Sequence, residues 1–180
     1  MARLKLATLW LGGCSGCHMS FLDLDEWLLE LTTFAEIVYS PLIDTKKFPD
    51  QVDVTLVEGA VANEDHFHLI QQVRKNSKLV ASFGDCAISG NVTAVRNRFQ
   101  EALPLLQRSY IELADVQKGI PNDRSVVPAL LDRVRPLHSL ISVDYFLPGC
   151  PPTAKHIRMV LESLPSGKPL SLHGNQLKFG

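Results

Sequence analysis

The residues best suited to chemistry are four cysteines, Cys14, Cys17, Cys86 and Cys150. Cys14 and Cys17 form a Cys-x-x-Cys pair, and the other two stand alone, far along the chain. Thiolates in such sets hold Zn²⁺ or an iron–sulfur cluster. A disulfide framework is the poorer reading, since a chain of 180 residues buries a core without covalent staples. A structural zinc site usually pairs two short cysteine hooks, and only one is present. Every cysteine also lies in a glycine-bearing segment: Gly12-Gly13-Cys14-Ser15-Gly16-Cys17, Gly84-Asp85-Cys86 and Pro148-Gly149-Cys150-Pro151-Pro152. Glycine lets backbone approach a cofactor closely, and nearby amides can donate to its sulfurs. The pattern favours one 4Fe–4S cluster, with a zinc-stabilised interaction module as the alternative.

The elements that must position these thiols can be read from apolar runs and breakers. Leu4–Leu11, Glu36–Ile43, Val52–Val57, Lys78–Phe83 and Ser139–Phe146 read as five strands. Helices are expected over Ser20–Thr33, Asp65–Asn76, Val92–Ala102 and Ala154–Leu164. The stretch 104–137, with Gly119, Pro121 and Pro128, reads as an irregular insertion carrying one or two short helices, and 165–180 as a tail. Alternating strands and helices imply an α/β fold: a flavodoxin-like, five-stranded parallel sheet with helices on both faces, in a single domain over 1–180. Cys14 and Cys17 follow the first strand, Glu58-Gly59 the third, Cys86 the fourth and Cys150 the fifth. Parallel strands end on one edge, so all four cysteines are expected at the carboxyl-end rim, where open α/β sheets bind ligands.

Two further residues stand beside this site. Glu58 ends a strand there, either as a proton acceptor or as a turn carboxylate satisfied by backbone amides. His18, next to Cys17, reads as supporting the site or an interface rather than replacing a thiolate. His66 and His68 diverge on their helix, so they are not expected to share a metal and read as partly exposed helix residues. A lysine-plus-arginine count of 18 against 19 acidic residues, net charge −1, argues against nucleic acid or an anionic membrane surface. No apolar run reaches the length of a membrane span. The basic–apolar start MARLKLATLW reads as a buried strand rather than an export signal, so a cytoplasmic location is expected. FMN is not expected, because cysteines occupy the loop where a flavin phosphate would sit. No Gly-x-Gly-x-x-Gly fingerprint is present.

Gly12-Gly13-Cys14-Ser15-Gly16-Cys17, Val57-Glu58-Gly59, Gly84-Asp85-Cys86-Ala87 and Leu147-Pro148-Gly149-Cys150-Pro151-Pro152 together resemble the small subunit of nickel–iron hydrogenases. The continuation Cys17-His18-Met19-Ser20, with Leu22-Asp23-Leu24-Asp25-Glu26, is similar to the soluble bidirectional NAD-reducing group. The resemblance runs from Leu4 to Leu164. It implies that Cys14, Cys17, Cys86 and Cys150 ligate a proximal 4Fe–4S cluster. It further implies that this cluster relays electrons between a nickel–iron site in a separate large subunit and diaphorase-type iron–sulfur and flavin subunits that reduce NAD. Nickel–iron and NAD would then belong to partner subunits, and the rim would lie in an extensive obligate interface. The related alternative is the cluster-bearing subunit of complex I-like oxidoreductases. Those subunits use adjacent cysteines at the first ligand position, whereas Ser15-Gly16 separates Cys14 from Cys17 here.

Overall fold

A computed structural model describes residues 3–164 and 174; the expected tail falls outside the described residues apart from Gly174. Near-continuous apolar runs make strands β1 (Leu4–Trp10), β2 (Ala35–Tyr39), β3 (Val52–Glu58), β5 (Ser77–Phe83) and β7 (Tyr145–Leu147). They pair in parallel in the order β2-β1-β3-β5-β7. This is the flavodoxin-like order. Side chains alternate across the sheet. Leu6, Val54, Leu56, Ala81 and Phe83 point to one face, against α1 (Gly16–Leu22), α2 (Trp27–Phe34) and α6 (Ala154–Ser163). Ala7, Leu9, Val57 and Val80 point to the other, against α3 (Glu64–Asn76) and α4 (Asp85–Ser89). Burial on both faces explains the uninterrupted apolar strands. Among the described residues no helix is long and apolar enough to cross a membrane.

Four expectations need correction. The helix expected over Ser20–Thr33 is two helices, α1 and α2, broken at Asp23–Glu26 with Asp25 at φ 48°. Phe21, Leu24, Trp27 and Leu31 all bury in one cluster, so helical spacing persists across the break and hides it. The fifth strand shrinks from Ser139–Phe146 to Tyr145–Leu147, because Leu137 and Ile141 bury into the second face instead. The Asp144 carboxylate then takes the Val80 amide at 2.8 Å. The helix expected over Val92–Ala102 is a 3₁₀ helix over Asn91–Phe99; Val92, Val95 and Phe99 remain exposed, so no buried stripe enforces α geometry. The stretch 104–137 contains α5 (Leu103–Gln107), as anticipated. It also contains an unanticipated strand, β6 (Leu130–Arg135), antiparallel to β4 (Val61–Asn63).

Candidate functional site

The loops leaving β1, β5 and β7 meet at the carboxyl-end rim. Cys14, Cys17, Cys86 and Cys150 line one cavity of about 50 Å³, together with Glu58 and Asp85. All four thiols are free; Cys14 and Cys150 are exposed, whereas Cys17 and Cys86 are buried. Burial pushes the Cys17 thiol well above its usual range, and Glu58 and the other three cysteines add to the rise. Burial also raises Cys86, with Cys150 and Cys14 contributing. The smaller repulsive part of these shifts is what like-charged thiolates brought near one another produce. Among the described residues no three His, Cys, Asp or Glu side chains close around a single metal ion; the thiols border a cavity instead. Larger depressions elsewhere, such as one bounded by Arg3, Lys5, Asp53 and Lys78, contain no thiol.

The loops are tied to one another by polar contacts. Gly12 and Ala60 exchange backbone hydrogen bonds at 2.9 and 2.8 Å, holding the Cys14 loop against the turn after β3. The amides of Cys17 and His18 donate to the two Glu58 carboxylate oxygens, at 3.3 and 3.0 Å. Glu58 therefore takes up two of the amide donors that a helix start leaves without partners. On the opposite side, the Asp85 carboxylate accepts from the Gly149 amide at 2.7 Å, and the Asp85 amide donates to the Gly149 carbonyl at 3.0 Å. These bonds clamp the Cys86 and Cys150 loops together. Ser20 donates to the Pro152 carbonyl at 2.6 Å and closes the ring between α1 and the last loop. Gly84 has no room for a side chain: an added Cβ would lie 2.2 Å from the Cys17 sulfur.

His18 turns away from the cavity. Its Nδ1 meets Glu58 Oε2, and its Nε2 lies 3.0 Å from Thr8 Oγ1, which donates to Ser40 Oγ at 2.8 Å. Glu58, His18, Thr8 and Ser40 are all buried. They form a polar file running from the rim along the α1 face of the sheet, which satisfies groups whose isolation would be costly. His66 and His68 lie on α3 away from the rim. The His66 amide is capped by the Asn63 side chain at 2.8 Å. Sequence reasoning missed Asp85, Thr8 and Ser20. Only Asp85 carried a signal, as a carboxylate directly before Cys86 in the glycine-bearing turn that follows an apolar strand.

A parallel sheet of this order with four thiols gathered at its carboxyl-end rim defines an α/β protein with a four-cysteine cavity at that edge. The chain matches the family model described as NADH ubiquinone oxidoreductase, 20 Kd subunit, over residues 14–164. It belongs to that family, in the branch formed by hydrogenase small subunits. It is 37% identical over 176 residues to the delta subunit of the NAD-reducing hydrogenase HoxS of Cupriavidus necator, covering 94% of this chain and 82% of that protein. It is 42% identical over 166 residues to one subunit of the F420-non-reducing vhu hydrogenase of Methanocaldococcus jannaschii, of which it spans only 57%. Other F420-non-reducing relatives are likewise spanned over a little more than half their length, 58% and 56% in the two from Methanothermobacter. A chain of a NAD⁺-reducing nickel–iron hydrogenase, crystallised in the H₂-reduced state, superposes with a TM-score of 0.92 at 35% identity, covering 99% of this chain and 100% of that one. A chain of the nickel–iron–selenium hydrogenase of Desulfomicrobium baculatum shares the fold, with a TM-score of 0.61 at 15% identity.

Proposed function

We propose that this chain is the electron-transfer small subunit of a cytoplasmic, NAD-reducing nickel–iron hydrogenase. In this reading one 4Fe–4S cluster is ligated by Cys14, Cys17, Cys86 and Cys150. The observation that carries it is the convergence of all four thiols, from three separate loops, on one cavity at the sheet rim. The donor set suits a cluster: four thiolates, glycine-rich loops that admit close approach, and thiols spread around a cavity rather than closed on a point. When bound, the cluster would accept and pass single electrons. The residues of this chain set its surroundings. Glu58 fixes the start of α1 and so the direction of the Cys17 sulfur; Asp85 fixes the Cys150 loop against the Cys86 loop. Neither needs to exchange a proton to do so.

The exposed rim supports the partners proposed here. Cys14 and Cys150 are exposed at the rim, close to Trp10, 48% exposed at the end of β1, and Met19, 49% exposed on α1. Large apolar side chains beside exposed ligands fit a rim made to be covered. The occupant in this reading is a large subunit carrying the nickel–iron site, with a diaphorase-type module of iron–sulfur and flavin subunits accepting electrons and reducing NAD. Nickel, flavin and NAD would reside in those partners. The test is reconstitution: the chain alone turns over no hydrogen, and adding the large subunit gives hydrogen-driven dye reduction. The Cys86→Ala variant of the same complex should fail to pass electrons onward. A chain with hydrogenase activity of its own, or a complex indifferent to all four cysteines, overturns the proposal.

A further inference from the structure

We propose that Asn91 is a tuning residue for the cluster: its carboxamide donates a hydrogen bond to the sulfur of Cys150 and so favours the reduced state. The inference rests on the four-cysteine ligand reading above. Asn91 Nδ2 lies 3.5 Å from Cys150 Sγ, a distance suited to an N–H···S bond. A thiolate is an acceptor only, so the amide nitrogen, not the oxygen, must face it. Reduction adds negative charge to a cluster and its sulfurs. A donor fixed on a ligand sulfur stabilises that charge and raises the potential.

The placement of Asn91 is built rather than incidental. α4 ends at Gly90, and Asn91 follows at φ 36°, a left-handed backbone that asparagine tolerates better than most residues. The 3₁₀ helix that Asn91 begins is fastened on two sides. Thr93 Oγ1 donates to the Gly12 carbonyl at 2.8 Å, tying the segment to the Cys14 loop. Arg96 donates to the carbonyls of Ala62 and Leu131 at 3.0 and 2.7 Å. Asn97 exchanges hydrogen bonds with the Val134 backbone at 2.9 and 2.8 Å. The small β4–β6 sheet, which has no thiol of its own, thus acts as the abutment that holds Asn91 against Cys150. This gives a purpose to a 3₁₀ helix whose apolar residues are largely exposed.

The test uses the anaerobically purified complex, with iron and sulfide assayed first and the cluster then titrated by EPR at controlled potentials. Asn91→Gly removes the donor and keeps the left-handed backbone comfortable. The reduced-to-oxidised ratio at fixed potential should fall about three- to tenfold, tenfold being about 59 mV for one electron. Asn91→Asp puts a carboxylate where the donor was and should lower the ratio further, with iron and sulfide unchanged. Wild-type potentials in both variants, with full clusters, overturn the tuning role while leaving the ligand reading intact. Loss of iron in both also overturns it, because tuning leaves ligation in place. A wild-type chain without iron and sulfide overturns the ligand reading itself, and the inference with it.

Discussion

With a cluster held by the four cysteines as proposed, replacing Gly84 by alanine should expel it while leaving the sheet folded. Gly84 sits at φ 85°, ψ 165°, a region that is essentially glycine-only and costs other residues about 1–3 kcal/mol. The new Cβ would lie 2.2 Å from the Cys17 sulfur, where non-bonded heavy atoms need about 3.5 Å or more. The sulfur must therefore withdraw by about 1.3 Å, several times the tolerance of roughly 0.2 Å on ligand distances. Its short side chain can do so only by rotating out of the cavity. Iron and sulfide per chain should fall by more than half, and the midpoint of thermal unfolding by about 3–10 °C, the backbone strain alone accounting for the latter. Gly90→Ala separates the two causes. Gly90 also has φ 85°, but its Cβ would meet Ala94 at 2.7 Å, away from the thiols, so that variant should lose stability and keep its iron. Gly119→Ala, with nothing within 4 Å, should do neither. A Gly84→Ala chain with its full iron and sulfide refutes the argument, and so does equal iron loss in Gly90→Ala.

Three further outcomes follow from the packing. Thr8→Val keeps the shape of the buried file but leaves His18 Nε2 and Ser40 without their partner; unfolding in urea should show a loss of about 1–3 kcal/mol, and unchanged stability contradicts the file. Asp53 would be raised by burial, but hydrogen bonds from the Lys78 ammonium and the Lys5 amide outweigh this and hold its pKa below 3.8. Its contribution is therefore fully present above that pH and lost as pH falls through the lowered value. Asp53→Asn should cost about 1 kcal/mol at pH 7, with the difference vanishing in acid. Burial lowers His66 below its ordinary 6.5, the Asp65 charge offsetting part of this. The unfolded chain then binds more protons as pH drops below 6.5, so stability falls there, and His66→Gln should flatten that slope in denaturant titrations from pH 7 to 5.

The strand order and the rim were legible because both depend on signals the sequence carries locally. Apolar runs such as Val52–Val57 exist only where helices cover both faces, and four of the five end in a glycine-bearing turn. Parallel pairing then brings those turns to one edge, so four cysteines far apart along the chain could be placed together before any contact was known. The break between α1 and α2 was not legible, because Phe21, Leu24, Trp27 and Leu31 keep helical spacing through it. The β4–β6 pair escaped notice because Val61–Asn63 is too short for alternation to register. What clamps the site was hidden for a different reason. Asp85, Ser20, Thr8 and Asn91 act through one or two hydrogen bonds to segments tens of residues away, 132 in the case of Ser20, and no local pattern announces such a partner. Glu58 and His18 stood out by position, yet their mutual contact and the role of Thr8 became visible only with β1 and β3 side by side.

The measurement that bears most directly on the account is a metal and sulfide analysis of the anaerobically purified protein and its four single cysteine-to-alanine variants. The account predicts about four iron and four acid-labile sulfide per wild-type chain, with absorption near 400 nm and no stoichiometric zinc. It predicts sharply reduced iron in each of Cys14→Ala, Cys17→Ala, Cys86→Ala and Cys150→Ala. Stoichiometric zinc without sulfide, or full iron in two or more of those variants, would contradict it.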